Sequence, residues 1–522
     1  MRVRAEVGEE SVKTLIRAGK HPAQVLGPEA AFQRGVNGVF GANSGNLLFS
    51  NAVFRTLSVP GAELVPDSFT TERAGVDDDH VTRINDEFDN FVIPLANAFR
   101  PEFLPALNKL SSVIERLDIP VAVVGVGAQL SNGNGTEVSD LPSTLKEPVT
   151  RFVSAVLDRS AKIGVRGDFT REFLARLGFG DDHVEIIGCP SLTESAEYRV
   201  EKKAERLTRE SRISFNAVPS LEVIGEVFQE HSERFPNITY VQQEYRELAL
   251  LMWGQPMRGR VATAFPSGID HPLYREDRLV FFLDPQPWQQ FLSTMDFSFG
   301  NRIHGNIAAL AAGTPAVVIS HDSRTRELAE YHRIPTRSMP DRADEIRAEA
   351  LYDNADFGPF HDAQAENFAR YVRFLDANDI RHVHAAGATN AGTDATADGV
   401  DFGQGVRSLL SGDNEAIVRR LNWLWRGTES GRLPREAIYI PPFAPHSDDS
   451  YRRTLSAELD SAIKEARKKD RELAELKGSV EELSLAVQEL HRWSTRRFAV
   501  IPERSLLRRG ARMVRRVMKR GK

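Results

Sequence analysis

Two residues in the stretch FSFGNRIHGNIAALAAGTPAVVIS (residues 297–320) carry chemistry two positions apart. Arg302 offers a planar fork that pairs a phosphate or a carboxylate bidentately. His304 offers a ring nitrogen able to hand over a proton near neutral pH. A positive helix end lowers the pKa of such an imidazole, whereas a bound dianion raises it. With a dianion in place the second effect dominates and leaves a proton donor. Arg166 stands at the end of an expected strand, 162–165, and Arg324 in a turn opening an expected helix, 325–332. Three guanidinium groups at strand ends can converge on one small polyanion. A helix-capping pair at 302 and 304, and structural ion pairs for Arg166 and Arg324, are the alternatives.

The elements that must hold these groups follow from pattern. An apolar run ends at Gly300, 301–305 reads as a polar turn, 307–312 as a helix of small residues, and Gly313 suits a helix C′ position. Pro315 then opens a β-rich run, 316–319. In open α/β sheets this strand-to-helix edge is where ligands bind, and helix N-termini favour anions. Asn43-Ser44-Gly45-Asn46 is a second glycine-bearing turn opening a helix, and it reads equally as a ligand-approach site or a plain connection. Gln129 follows the glycine-ended strand 121–126 at the same kind of edge, and 131–136 (SNGNGT) reads as a lid loop.

Repeated strand–helix alternation (strands 91–95, 121–126, 162–165 and 184–187 with helices 102–117, 149–157 and 169–177) predicts a parallel, doubly wound sheet. Strands 213–216, 238–241 and 279–283 begin a second such domain after a charged, helix-like run at 200–210. Residues 1–30 read as an irregular lead-in.

The order of these segments resembles the polysaccharide pyruvyl transferase family. Arg-x-His-Gly, the small-residue helix, Gly-x-Pro and an apolar strand resemble its C-terminal signature. His321-Asp322-Ser323-Arg324 resembles its aromatic-Asp-Ser-Lys turn, with His and Arg substituted. VAVVGVGAQ (121–129), IGVRGDFTREFLARLG (163–178) and IIGCPSL (186–192) agree, over roughly residues 36–380. The family usually has Asn-x-Gly-Asp where this chain has Asn46, so this chain presents no carboxylate at that point. The resemblance implies an α/β fold of two Rossmann-like doubly wound domains facing a cleft (GT-B-like). It also implies transfer of a pyruvyl group from phosphoenolpyruvate to a saccharide hydroxyl pair, as a ketal.

On that reading His304 and Arg302 are catalytic, and Arg166, Arg324, Asn43, Gly45, Asn46 and Gln129 bind substrate. No cofactor or metal is expected. The domains are 1–199, 208–345 with the Arg-x-His-Gly motif, and a mixed region, 346–450, whose helix 363–375 fits a crossover onto the first domain. A GT-B glycosyltransferase using a nucleotide sugar and a non-catalytic coiled-coil scaffold are the rival readings.

The tail differs. Leu455, Leu459, Ala462, Ala466, Leu473, Leu476, Val480, Leu483, Val487 and Leu490 keep a 4-3 repeat broken by Lys469, which predicts a coiled coil over 454–492 and self-association, with a single amphipathic helix packed on the body as the alternative. Residues 496–522 combine Arg508, Arg509, Arg515 and Arg516 with Leu507, Val514 and Val517. That is a basic amphipathic helix suited to anionic lipid. No aromatic interleaving supports nucleic acid.

At 522 residues the chain exceeds one core, and its net charge of −6 exerts no general pull on nucleic acid or membrane. A single cysteine, Cys189, cannot form an internal disulfide, which points to a reducing compartment. The N-terminus lacks a signal-peptide h-region and no stretch is long and apolar enough to span a bilayer. A cytoplasmic protein, peripheral at the inner face of the plasma membrane, is the resulting expectation. His382-Val383-His384 reads as surface, without carboxylates to complete a metal site.

Overall fold

The computed structural model describes residues 11–33, 39–41, 43–72, 77–130, 137–257, 259–385 and 399–430. Residues 1–445 form one compact unit and 446–522 a second. The expected lid loop, coiled coil and basic tail lie outside the described residues.

Among the described residues twelve strands make parallel sheets. In the first half these are β1 (Val12–Ile16), β2 (Ala62–Pro66), β3 (Asn90–Pro94), β4 (Val121–Val124), β5 (Ile163–Val165) and β6 (Val184–Ile186). Their order is β2-β1-β3-β4. A parallel bridge from Val126 to Val165 continues this sheet into the β5-β6 pair. The second half holds β7 (Ile213–Asn216), β8 (Ile238–Gln242), β9 (Leu279–Phe281), β10 (Phe297–Gly300), β11 (Ala316–Ser320) and β12 (Thr336–Ser338). Their order is β12-β11-β10-β7-β8-β9. Strand order reverses between β7 and β10, the topological switch point at which doubly wound sheets bind ligands. The class is therefore mixed α/β with parallel sheets.

Burial on both faces explains the apolar strands. Phe91 and Ile93 join one core and Val92 the opposite one, the period-2 outcome of the pleat. In the second half, Phe215 and Phe299 pack one face while Val241 and Val318 pack the other. The helix Gly45–Leu57 touches several cores: Leu47 joins one, Leu48 and Phe49 a second with Ile303 and Ile307, and Val53 and Phe54 a third under the first sheet. It therefore seams the two halves together. Helix Gly358–Ala377 sends Tyr371, Phe374 and Leu375 into that same first-sheet core.

Three expectations are corrected. The supposed irregular lead-in contains β1, a central strand paired with both β2 and β3. Its Leu15 and Ile16 are buried on opposite faces, so a five-residue strand shows no alternation to read. Residues 200–210 form turns rather than a helix. Val200 and Leu207 are anchored in cores, and the Lys203 ammonium donates to the Ser293 and Met295 carbonyls, which holds the charged run as a strap. The His382-x-His384 pair is not surface: His382 is buried beside Asp376.

Candidate functional site

Arg302 and His304 sit at the β7/β10 switch point. Gly300 ends β10 with φ 146°, and a Cβ there would lie 1.8 Å from the Asn216 carbonyl oxygen, so only glycine lets β10 close against β7. Asn216 then builds the turn: its side-chain oxygen accepts from the Arg302 amide (3.0 Å), and its amide donates to Asn306 (3.0 Å). The helix runs Ile303–Ala311, one turn earlier than the pattern suggested, with Arg302 as its N-cap residue. His304 therefore lies in the first helical turn. Gly313, at φ 77°, closes the far end, and Thr314 donates to the Ala309 carbonyl (2.8 Å).

The glycine turn of the first half meets this motif directly. Asn43 bridges Glu244, and the Ser44 amide donates to the Gln243 carbonyl (3.0 Å). A Cβ on Gly45 would lie 2.7 Å from both Cβ and Nδ1 of His304. Gly45 is thus the space His304 needs. The Asn43 side chain accepts from the Gly45 amide (3.0 Å), and the Asn46 side-chain NH2 donates to the Phe40 carbonyl (2.8 Å), so both asparagines shape the turn.

The arginines divide into two kinds. The Arg302 guanidinium is engaged, donating to the Ala217 carbonyl (3.1 Å) and to Glu244. Glu244 is presented by a turn whose amides, at Gln243 and Glu244, donate to the buried Glu247 carboxylate (2.9 and 2.8 Å). Burial, reinforced by Glu244, pushes Glu247 up to about 7. Arg166 is the opposite case. It is wholly buried; Nε donates to the Gly125 carbonyl (3.0 Å), while Nη1 and Nη2 have no partner among the described residues. Desolvation lowers its pKa to about 10, with Arg324 pushing the same way and Glu327 and Asp322 opposing. A buried cation with an open fork costs several kcal/mol unless an anion completes it. Gly127 makes room for it, since a Cβ there would lie 2.7 Å from Arg166 Cδ.

His304 is the neighbour of that fork. The Phe49 ring centroid is 5.8 Å from Arg166 Cζ and 6.2 Å from the His304 ring. His304 Nε2 is buried without a partner among the described residues. Burial first, then the charges of Arg166, Arg324 and Arg302, hold its pKa well below the ordinary value, so the imidazole is neutral here. Arg324 contributes a further nitrogen, Nε, without a hydrogen-bond partner among the described residues, and pairs through Nη2 with Asp322 (3.4 Å). Asp322 caps the helix Ser323–Tyr331 by accepting from the Thr325 amide (2.7 Å). Burial alone would raise its pKa, but Arg324, His321 and the Thr325 bonds outweigh that and hold it near 2. Gln129 spans the halves: Nε2 donates to Asp322 (3.1 Å), and Oε1 accepts from Asn97.

Arg302, His304, Gly45 and Asn43 thus meet around one turn, and Arg166, Arg324, Gln129 and Asp322 around its neighbour. Pattern reading did not find Asn216, Glu244, Glu247, Phe49 or Glu327. Only the Glu244-x-x-Glu247 spacing, a capping-box pattern, was a local signal. Two surface cavities, of about 580 and 420 Å³, lie elsewhere, beside Arg212 and Arg278 and beside Arg55 and Glu194. Among the described residues no group of three or more His, Cys, Asp or Glu side chains is placed to hold a metal, and no helix is long and apolar enough to cross a membrane.

Parallel α/β sheets with cations and an imidazole at their strand ends offer a place suited to an anion. A family model, polysaccharide pyruvyl transferase, matches residues 43–323, more than half of the chain, and the protein belongs to that family, a family of transferases. The match takes in Gly45, Gln129, Arg166, Arg302 and His304 and ends one residue before Arg324. No curated protein matches the chain. Among solved structures it is similar to UDP-GlcNAc 2-epimerase of Methanocaldococcus jannaschii in complex with UDP-GlcNAc and UDP. That pair shares 12% identity over 70% of this chain and 99% of the other, with TM-score 0.38. The Neisseria meningitidis UDP-GlcNAc 2-epimerase bound to UDP-GlcNAc shares 11% identity over 70% and 100%, with TM-score 0.37.

Proposed function

We propose that the protein transfers a pyruvyl group from phosphoenolpyruvate to two hydroxyls of a saccharide, forming a ketal and releasing phosphate. The observation that carries this reading is the open, buried Arg166 fork, packed around the same phenylalanine ring as the unpartnered His304 Nε2. Arg166 and Arg324 take the phosphate. The dianion then raises the His304 pKa, and the imidazolium protonates C3 of the enol ester. C2 becomes electrophilic, one hydroxyl adds, phosphate leaves, and the second hydroxyl closes the ring. Of the two hydroxyl protons lost, one balances the proton gained at C3 and the other leaves with phosphate. Arginine charge stabilises the departing phosphate. Arg302, held by Glu244, adds positive charge beside His304.

Because Arg166 and His304 are buried, donor entry requires the seam between the halves to open. The tail suits a dimer held at an anionic membrane face, where lipid-linked glycan acceptors are built. Deletion beyond Arg453 abolishes flotation with anionic liposomes on this reading, and unchanged flotation refutes it. The catalytic proposal is tested by phosphate release from phosphoenolpyruvate with a panel of acceptor saccharides. His304→Ala loses roughly 10²–10⁴-fold. Equal rates remove His304 from the mechanism.

A further inference from the structure

We propose that Glu327 is a positioning residue that clamps the helix carrying Arg324 to the strand end carrying Arg166, so that guanidinium groups from the two halves face one phosphate. The inference rests on the anion-site reading above and adds to it a residue with no contact to the ligand.

Glu327 lies on the helix Ser323–Tyr331, which follows β11 of the second sheet. Its carboxylate reaches across to the first half, where Oε1 accepts from the Thr170 amide (2.7 Å) and Oε2 from the Thr170 hydroxyl (3.1 Å). That hydroxyl accepts in turn from the Ala128 amide (3.0 Å), which ties Glu327 to the chain leaving β4. Thr170 belongs to the helix Asp168–Arg176, which begins two residues after Arg166 and whose N-cap residue, Gly167, has no side chain to cap it. The cap comes instead from the other half of the molecule. Gly167 is also the clearance: a Cβ there would lie 2.5 Å from Glu327 Cγ. Two flanking bonds close the same seam, Gln129 to Asp322 (3.1 Å) and the Leu130 amide to the Ser323 hydroxyl (3.1 Å).

Two cations aimed at one space repel, and something must hold them there before the ligand arrives. A carboxylate bonded directly to Arg166 would do so but would fill the fork. Glu327 holds the two elements together while both its oxygens are spent on Thr170, so Nη1 and Nη2 of Arg166 stay open. The geometry thus keeps the clamp apart from the groups left open for the ligand.

The test uses the full-length protein. Phosphoenolpyruvate and, separately, inorganic phosphate are titrated calorimetrically into wild type, Glu327→Ala, Glu327→Gln and Thr170→Val, with KM for the acceptor and the unfolding temperature measured alongside. Glu327→Ala and Thr170→Val are expected to weaken both anions about tenfold or more, with acceptor KM changed by less than about twofold. Glu327→Gln, which keeps an acceptor for the Thr170 amide, restores binding to within about threefold of wild type. Unfolding temperatures that drop while both anion affinities hold, or an acceptor KM that rises in step, reduce Glu327 to a helix cap and overturn the proposal. Should Glu327→Ala not fold, Thr170→Val decides on the same readout. Wild type that binds phosphate but not phosphoenolpyruvate removes the donor reading alone, since the clamp is then judged on phosphate. Wild type that binds neither removes both.

Discussion

Gly45→Ala is the sharpest perturbation available, because it adds one methyl group between the two halves of the site. The new Cβ would stand 2.7 Å from both Cβ and Nδ1 of His304 and 2.8 Å from the Asn43 side-chain oxygen. Carbon contacts relax near 3.5–4.0 Å, so His304 or the helix Gly45–Leu57 must retreat by about 1 Å. Overpacking of this kind costs about 1–3 kcal/mol, while alanine in place of glycine in a helix returns roughly 0.5–1 kcal/mol. Net destabilisation is therefore modest, about 0–2.5 kcal/mol, and the protein folds. The displaced imidazole is the larger effect, since about 1 Å at a reacting group costs on the order of 100-fold in rate. Phosphate release from phosphoenolpyruvate, measured beside urea unfolding, separates the two. A variant that folds normally and turns over within about threefold of wild type refutes the claim that Gly45 exists to seat His304.

Three further outcomes are expected. Arg166→Lys replaces a fork by a point charge and raises KM for phosphoenolpyruvate roughly 10–100-fold, read from initial rates. Donor binding takes up protons: the His304 pKa is well below ordinary in the free protein and rises beside the dianion, so affinity falls as pH climbs through the bound-state value. Calorimetry in buffers of different ionisation enthalpy reads this uptake, and His304→Gln abolishes it. Stability also falls in acid. His332, buried and accepting from the Cys189 amide (2.9 Å), is held near 3 by desolvation, below its unfolded value of 6.5. Its contribution is present above pH 6.5 and lost as pH falls toward 3. Between pH 7 and 5 it removes about 2 kcal/mol, and His332→Gln flattens that slope in urea titrations.

Much of the site was legible because it is local. Gly300, Arg302, His304 and Gly313 announce a strand–turn–helix within a dozen or so residues, and Arg166 follows a strand in the same way. What remained hidden depends on residues far apart in the chain. The Arg302–Glu244 pair and the Glu327–Thr170 clamp join elements 58 and 157 positions apart. Periodicity specifies an element's buried face but not the partner that covers it. That is also why the turn at Gly45 read equally as a ligand-approach site or a plain connection, its packing against His304 being invisible to a local pattern. β1 escaped notice because a short strand covered on both faces has no polar side to mark its period. The run at 200–210 misled for the converse reason: charge at helical spacing does not make a helix when its lysine and apolar residues are anchored elsewhere.

The most direct test is a crystal of the protein soaked with phosphoenolpyruvate. Phosphate oxygens within hydrogen-bond distance of Arg166 Nη1 and Nη2, with C3 facing His304 Nε2, are the predicted result. A donor bound in either outer cavity, with the Arg166 fork still empty, contradicts the account.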